Sequence, residues 1–165
     1  TAFTFVPLTA LAEGIFYTSF FVAFMFAVVW ARLSVNFLVS RASTEWLATA
    51  ASLLNALGVV LVAIIPSEFT FAVAGCFIGI GFGLIFPLLT VYVVQHISQA
   101  NRGAALSALS GSGDVGNALG ASVLGIIADY FGYRALFAAA SVLVLLCTWH
   151  FYVSLAAHAP KYNKM

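Results

Sequence analysis

The sequence predicts an all-α polytopic membrane protein, and three observations support this fold class. Only 7% of the 165 residues are charged, whereas soluble domains carry about 25%. Hydrophobic residues make up 64% of the chain, and the mean hydropathy is +1.11. The few charges fall between long apolar runs. A soluble domain needs more polar side chains than this to cover its surface. The high content of apolar residues excludes a disordered chain. A net charge of +1 provides no basic surface for binding nucleic acid.

Five runs are long enough to cross a hydrocarbon core of about 30 Å as helices. The expected spans are 14–33, 46–65, 69–95, 103–128 and 135–156. A shorter apolar run, 1–11, has no basic flank, and we expect it to be the end of a sixth helix and not a signal peptide. Runs that are apolar throughout, such as 20–30, favour helices over the alternating strands of a transmembrane barrel.

The basic residues predict the orientation of the chain. Short cytoplasmic loops are enriched in Lys and Arg. With the 14–33 span descending to the cytoplasm, only Arg134 lies outside, and the residues on the cytoplasmic side are Arg32, Arg41, Arg102, Lys161 and Lys164. The C-terminus is therefore expected to be cytoplasmic. The protein itself is expected to lie in the plasma (inner) membrane.

The reactive residues do not form a recognisable catalytic set. Cys76 and Cys147 are single residues in different spans, without the paired spacing of a metal or redox site. The sequence contains no Ser/His/Asp set, no His-Glu-x-x-His pattern and no Gly-rich phosphate loop. We therefore expect no catalytic residue, no metal, no cofactor and no enzymatic activity.

Small residues recur every four positions in two of the spans. They are Gly75, Gly79 and Gly83, with Pro87 one turn later, and Ser112, Gly116 and Gly120. Small residues at this interval form a groove along a helix into which a neighbouring backbone fits. The groove can serve static packing, or it can be a surface on which helices rock or bend. Pro87 favours the second interpretation, because proline removes a backbone hydrogen bond.

The order and spacing of several motifs resemble the major facilitator superfamily over nearly the whole chain. Segment 79–87, Gly-Ile-Gly-Phe-Gly-Leu-Ile-Phe-Pro, is similar to its tenth helix, and 5–8, Phe-Val-Pro-Leu, to the end of its seventh. Segments 102–107, 114–120 and 132–137 resemble its eleventh helix and the turn into the twelfth. The resemblance implies half of a twelve-helix bundle, the C-terminal half of a secondary transporter, whose partner is a missing N-terminal six-helix half.

One segment departs from the pattern of the family. The loop after its eighth helix usually resembles Arg-Pro-x-x-Gly-x-Leu-x-Asp-Arg, and segment 32–41 keeps both arginines and the leucine. The proline, glycine and aspartate are replaced by Leu33, Asn36 and Ser40. The charged contact that the aspartate makes at this gate therefore cannot form. The resemblance makes Arg32, Arg41 and Arg102 candidates for the cytoplasmic gate loops.

Asp114 is the one acid inside a predicted span. It lies about eleven residues into 103–128, near the middle of the membrane. An acid at this depth is costly unless it is protonated, paired or hydrated, which makes it a functional candidate. It could take up and release a proton during transport. Alternatively, it is a structural acid hydrogen-bonded to Asn117 or to the other half.

The resemblance also implies that the seventh and tenth helices line a central cavity. Candidate cavity residues are Thr4, Thr9, Phe20, Phe24, Phe86, Thr90 and Tyr92. Two alternatives remain open, because hydroxyls in membrane helices often bond their own backbone and a phenylalanine stripe often faces lipid or packs against a neighbour. Asn55, in the expected span 46–65, is predicted to form an interhelical hydrogen bond.

The predicted function is secondary active transport of a small organic solute by alternating access. Coupling to protons is inferred from the resemblance and from Asp114, and export is preferred over uptake. The expected partners are the lipid bilayer, the N-terminal half, the solute and protons. A non-transporting membrane scaffold or receptor, derived from a transporter half, is the alternative.

Overall fold

The chain folds as a bundle of α-helices in the computed structural model, which describes residues 2–12, 14, 16, 18–64 and 67–158. The helices are α1 (Ala2–Ala12), α2 (Thr18–Val39), α3 (Thr44–Ile64), α4 (Glu68–His96) and α5 (Arg102–His158), with a single 3₁₀ turn at Gln99–Asn101. No strand occurs in these residues. The all-α fold class is confirmed.

The longest helix, α5, consists of two helical segments. Gly132 interrupts it with φ 81° and ψ 169°, a backbone conformation that is essentially restricted to glycine. We call the segments α5a (102–131) and α5b (133–158). In the described part of the chain, four helices are long and apolar enough to cross a membrane. The fourth, Gln99–Ser154, has 56 residues and would be about 84 Å long if straight, enough for two crossings.

α4 lies at the centre of the bundle. α2 and α3 both pack mainly against α4 and hardly touch each other, and α5 packs chiefly against α3. Two buried apolar clusters mark the two ends of the bundle. The first joins α1, the start of α2, the end of α3, the start of α4 and the region around Gly132. The second joins the end of α2, the start of α3 and the end of α4. Successive long helices therefore run in opposite directions.

The bounds of α2 differ from the expected span 14–33. The helix begins at Thr18 and continues to Val39, so most of the expected loop 32–41 is helical and the connection is only 40–43. Val35 explains the extension, because its side chain is buried in the second cluster at 8% exposure. Arg32 sits on the exposed side of the same turn, where its charged end can reach the polar membrane surface.

The start of α4 is stabilised by a side-chain cap. The Ser67 hydroxyl accepts a hydrogen bond from the Thr70 backbone N–H at 3.2 Å. Glu68 adds a negative charge to the first turn, where it complements the helix dipole. These interactions explain why the helix begins at Glu68, one residue before the expected span 69–95.

Candidate functional site

The three α4 glycines spaced by four residues face α2 at backbone contact. A Cβ atom added to Gly75 would lie 2.5 Å from the carbonyl oxygen of Phe20, and one added to Gly79 would lie 2.7 Å from that of Phe24. A Cβ on Gly83 would lie 2.9 Å from the Ala31 Cβ. Any side chain at these positions would collide with α2. This groove is filled by α2 within the bundle.

The other side of α4 approaches α3 just as closely. A Cβ on Gly81 would lie 2.6 Å from the Ala51 carbonyl oxygen, and one on Gly58 of α3 would lie 2.5 Å from Ile78. α4 is therefore held between two helices at van der Waals distance. Pro87 lies farther along α4, which continues as a helix to His96. Because proline has no N–H, the Gly83 carbonyl lacks its usual helical donor there.

The glycines of α5a have different surroundings. Nothing lies within 4 Å of a Cβ built on Gly111, Gly113 or Gly116 of α5a. Residues 110–119 are exposed on every side, and Gly120 is half-buried. Gly116 belongs to a series with the same spacing as the α4 glycines, but it lies on an open surface together with Gly111 and Gly113. We call residues 111–117 the open glycine face.

Asp114 lies on the open glycine face with its side chain exposed. It follows Arg102 by twelve residues, or about 18 Å along the helix. Within the described residues Asp114 has no hydrogen bond or ion pair, and the bond to Asn117 considered as its structural role is not formed. Its carboxyl group is therefore directed away from this bundle.

Two of the expected cavity residues lie in the core instead. Phe20 and Phe24 are 0% and 3% exposed, their rings stack with centroids 6.2 Å apart, and their backbones carry the contact to α4. Within this bundle their side chains are buried, because the glycine groove draws the start of α2 into the core. The alternative of a packed phenylalanine stripe describes them.

An exposed aromatic pair on α4 was missed by the interpretation of the sequence. Phe82 and Phe86 are one helical turn apart and are 49% and 51% exposed, and the Phe82 ring lies 6.0 Å from that of Phe24. Of the two, only Phe86 was a cavity candidate. Their spacing of four residues was the signal, because residues at this interval share one face of a helix.

Thr90 and Tyr92 do not share one face of α4. Thr90 donates its hydroxyl to the Phe86 carbonyl at 2.9 Å, which is the backbone bond that the alternative foresaw. Tyr92 stacks on His96 with ring centroids 4.1 Å apart. It is two residues from Thr90, so it points about 200° around the helix from it. The side chains of Thr4 and Thr9 lie outside the described part of the structure.

Three arginines share the end of the bundle that holds the second cluster. Arg32 is exposed near the end of α2. The Arg41 guanidinium lies 4.6 Å from the centre of the Phe37 ring. The Arg102 Nε donates to the Ile97 carbonyl at 3.2 Å. Lys161 and Lys164 lie outside the described residues.

Comparison with known proteins identifies the family. The family model of the Major Facilitator Superfamily matches residues 2–164. An uncharacterized MFS-type transporter from Pseudomonas aeruginosa strain LESB58 is 32% identical over 83 residues, which are 50% of this chain and 21% of that protein. Another such transporter, from Burkholderia mallei strain SAVP1, is 36% identical over 85 residues, 52% of this chain and 21% of that protein.

The alignments span about a fifth of the length of these curated relatives. No solved structure matches the chain. The family model covers nearly every residue, and the helices long enough to cross a bilayer agree with it. This chain therefore belongs to the Major Facilitator Superfamily, and it is an integral membrane protein.

Proposed function

We propose that this chain is one half of a secondary active transporter that moves a small organic solute across the plasma membrane by alternating access. The observation that carries the proposal is the contrast between the α4 glycines and the glycines of the open glycine face. The α4 series is closed against α2, whereas the open glycine face on α5a has no neighbour within 4 Å at Gly111, Gly113 and Gly116.

The chemistry of the open glycine face supports a protein partner there. Contact between an exposed carboxyl group and lipid at mid-membrane depth is energetically unfavourable. Asp114 therefore needs water or protein opposite it. Glycines let a second backbone approach closely in a bilayer. A six-helix N-terminal half fits these two requirements. Movement of the two halves about this contact would expose the space between them to each side in turn.

Proton coupling is the part of the proposal that rests on Asp114. Its side chain has no bond to this bundle among the described residues. Its surroundings therefore depend on what lies opposite the open glycine face. Asp114 is therefore the candidate for the residue that carries the coupled proton as this face is hydrated and covered in turn. In this proposal, proton exchange at Asp114 drives the movement of the solute. Export is the direction that we propose.

The exposed aromatic pair supports a class of solute. Phe82 and Phe86 present two rings on one face of α4 and form an apolar surface suited to stacking. An apolar or aromatic organic solute fits this surface better than a highly charged one. No chemical conversion of the solute is part of the proposal.

The alternative function, a scaffold or receptor that does not transport, is favoured by one observation. The Ser40 hydroxyl donates to the Phe37 carbonyl of its own helix end at 2.7 Å. Ser40 is therefore engaged locally and cannot supply the charged contact that an aspartate makes at this gate. A scaffold would tolerate this loss, because it does not need to open and close.

Flux measurements on the full-length protein that contains this chain separate the two functions. The protein is reconstituted into liposomes, a pH gradient is imposed, and movement of a panel of fluorescent aromatic solutes is recorded. We expect the imposed pH gradient to drive the movement of at least one solute. This movement should stop when a protonophore dissipates the gradient. Binding of solutes without any flux would instead establish the scaffold or receptor.

A further inference from the structure

A cavity of about 440 Å³ lies between α3, α4 and α5b. Its walls are mostly apolar and include Ile85, Leu89 and Leu143. No residue of α5a lines the cavity, so it is separate from the open glycine face. Its volume and apolar walls match those of small-molecule sites in proteins, which occupy about 300–1,000 Å³ and contain few polar groups.

Most of the polar side chains in the cavity are already engaged by their own helices. The Ser52 hydroxyl donates to the Ala48 carbonyl at 2.9 Å, and the Thr148 hydroxyl donates to the Val144 carbonyl at 2.8 Å. Neither proton is available to a ligand. The Cys147 thiol, which also lines the cavity, is only a weak hydrogen-bond donor.

Asn55 is the exception. Its side-chain amide makes no hydrogen bond with any residue that the structure describes, so the predicted interhelical bond is not formed among these residues. The close approach of Gly81, whose added Cβ would lie 2.8 Å from the Asn55 Cβ, holds the start of this side chain at the cavity wall. Asn55 follows Thr44 by eleven residues, about 16 Å along α3. An unpaired amide at this depth is unfavourable in hydrocarbon.

We propose that this cavity binds an uncharged, mainly apolar molecule with one hydrogen-bonding group, such as a medium-chain alcohol, and that the Asn55 amide bonds to that group. No charged side chain lines the cavity, which disfavours an ionic ligand. The apolar walls accept the body of the molecule, and the amide distinguishes it from pure hydrocarbon such as a lipid acyl chain. This site does not depend on the proposed transport function.

The test compares two photoreactive probes in membranes that contain the chain. One probe is an octanol that carries a diazirine, and the other is the matching octane without the hydroxyl group. After illumination, the labelled residues are located by mass spectrometry. We expect the alcohol to label the cavity-lining parts of α3 and α5b about fivefold more than the alkane, the effect of one net hydrogen bond. Unlabelled octanol, but not octane, should suppress that labelling.

Two variants identify the amide as the cause. Asn55→Leu keeps the approximate shape of the side chain and should reduce labelling by the alcohol to the level of the alkane. Asn36→Leu makes the same change at an exposed position on α2 and should leave the fivefold excess intact. Equal labelling by the two probes in the unaltered chain would show that only hydrocarbon fills the cavity, and an excess that persists in Asn55→Leu would also overturn the proposal.

Discussion

Gly79 of α4 and Phe24 of α2 meet at backbone contact, since a Cβ on Gly79 would lie 2.7 Å from the Phe24 carbonyl oxygen and 2.8 Å from the Ala27 Cβ. Phe24 is at the same time part of the buried cluster at one end of the bundle. The contact therefore links the glycine groove of α4 to the apolar core. It also sets the distance between α2 and α4.

Replacing Gly79 by alanine should destabilise the bundle. The new methyl group collides with backbone and with Ala27, so α2 must move away, at a cost of about 1–3 kcal/mol in the free energy of unfolding. The measurement is denaturation in detergent micelles, followed by circular dichroism.

Gly113→Ala is the matched control for this change. A Cβ there meets nothing within 4 Å, and alanine favours a helix over glycine by about 1 kcal/mol. This variant should unfold no more easily than the unaltered chain. Equal destabilisation by the two substitutions would show that the α4 groove is not closed by α2.

A second prediction concerns the interruption of α5. Gly132 has a φ of 81° and no neighbour within 4 Å of an added Cβ, so Gly132→Ala introduces backbone strain without a steric clash. We expect a loss of about 1–3 kcal/mol in the free energy of unfolding. Gly111→Ala adds the same methyl group in equally open space without a positive φ. If both variants unfold alike, the turn does not require this conformation.

A third prediction tests Asp114 in the full-length protein. Asp114→Asn should abolish the dependence of solute flux on an imposed pH gradient, because the amide does not titrate. The folding of the bundle should be unchanged, since Asp114 is exposed and makes no bond to the described residues. Flux into liposomes is compared with and without the gradient.

Asp129→Asn provides the control for this experiment. Asp129 is an exposed acid near the other end of α5a, three residues before Gly132. Its replacement should leave the gradient dependence intact. A gradient dependence that survives Asp114→Asn would contradict the coupling role.

A fourth prediction concerns orientation. Three arginines lie at the end of the bundle where α2 and α4 finish, and basic residues favour the cytoplasmic side. A fluorescent protein fused after Met165 should fluoresce, and alkaline phosphatase at that position should be inactive. Fusions that end after Ile64 of α3 should show the opposite pattern. Active phosphatase at the C-terminus would reverse the proposed topology.

A fifth prediction uses the open glycine face. Gly116→Leu should leave the stability of this bundle nearly unchanged, because its Cβ meets nothing within 4 Å, but it should strongly reduce solute flux in the full-length protein. Val115→Leu enlarges a side chain that is already exposed at the neighbouring position and serves as control. Undiminished flux in Gly116→Leu would mean that no helix packs closely on this face.

The sequence predicted α3 and α4 to within a few residues, because polar or charged residues bound both apolar runs. Ser67 and Glu68 mark the start of α4 chemically, and His96 marks its end. The end of α2 was missed for the opposite reason. The charge of Arg32 suggested that a loop begins there. The burial of Val35 instead keeps the chain helical beyond Arg32. This burial depends on residues of α3 and α4, which the local sequence does not show.

The surroundings of the glycines could not be read from their spacing. Gly75 and Gly116 belong to series with the same interval, yet one meets the Phe20 backbone and the other meets nothing. Which helix lies opposite a groove is decided by the packing of the whole bundle. The same holds for Phe20, which the closed groove carries into the core, whereas Phe82 remains half-exposed.

The closed α4 groove also determines how this bundle can move. Gly75, Gly79 and Gly83 meet Phe20, Phe24 and Val28 in step, so α2 and α4 run parallel and interlock over about 12 Å. Sliding one helix by a single residue would drive side chains into carbonyl groups, and only a shift of about one whole turn restores the match. Packing at backbone contact therefore favours movement of α2 and α4 together, as one unit.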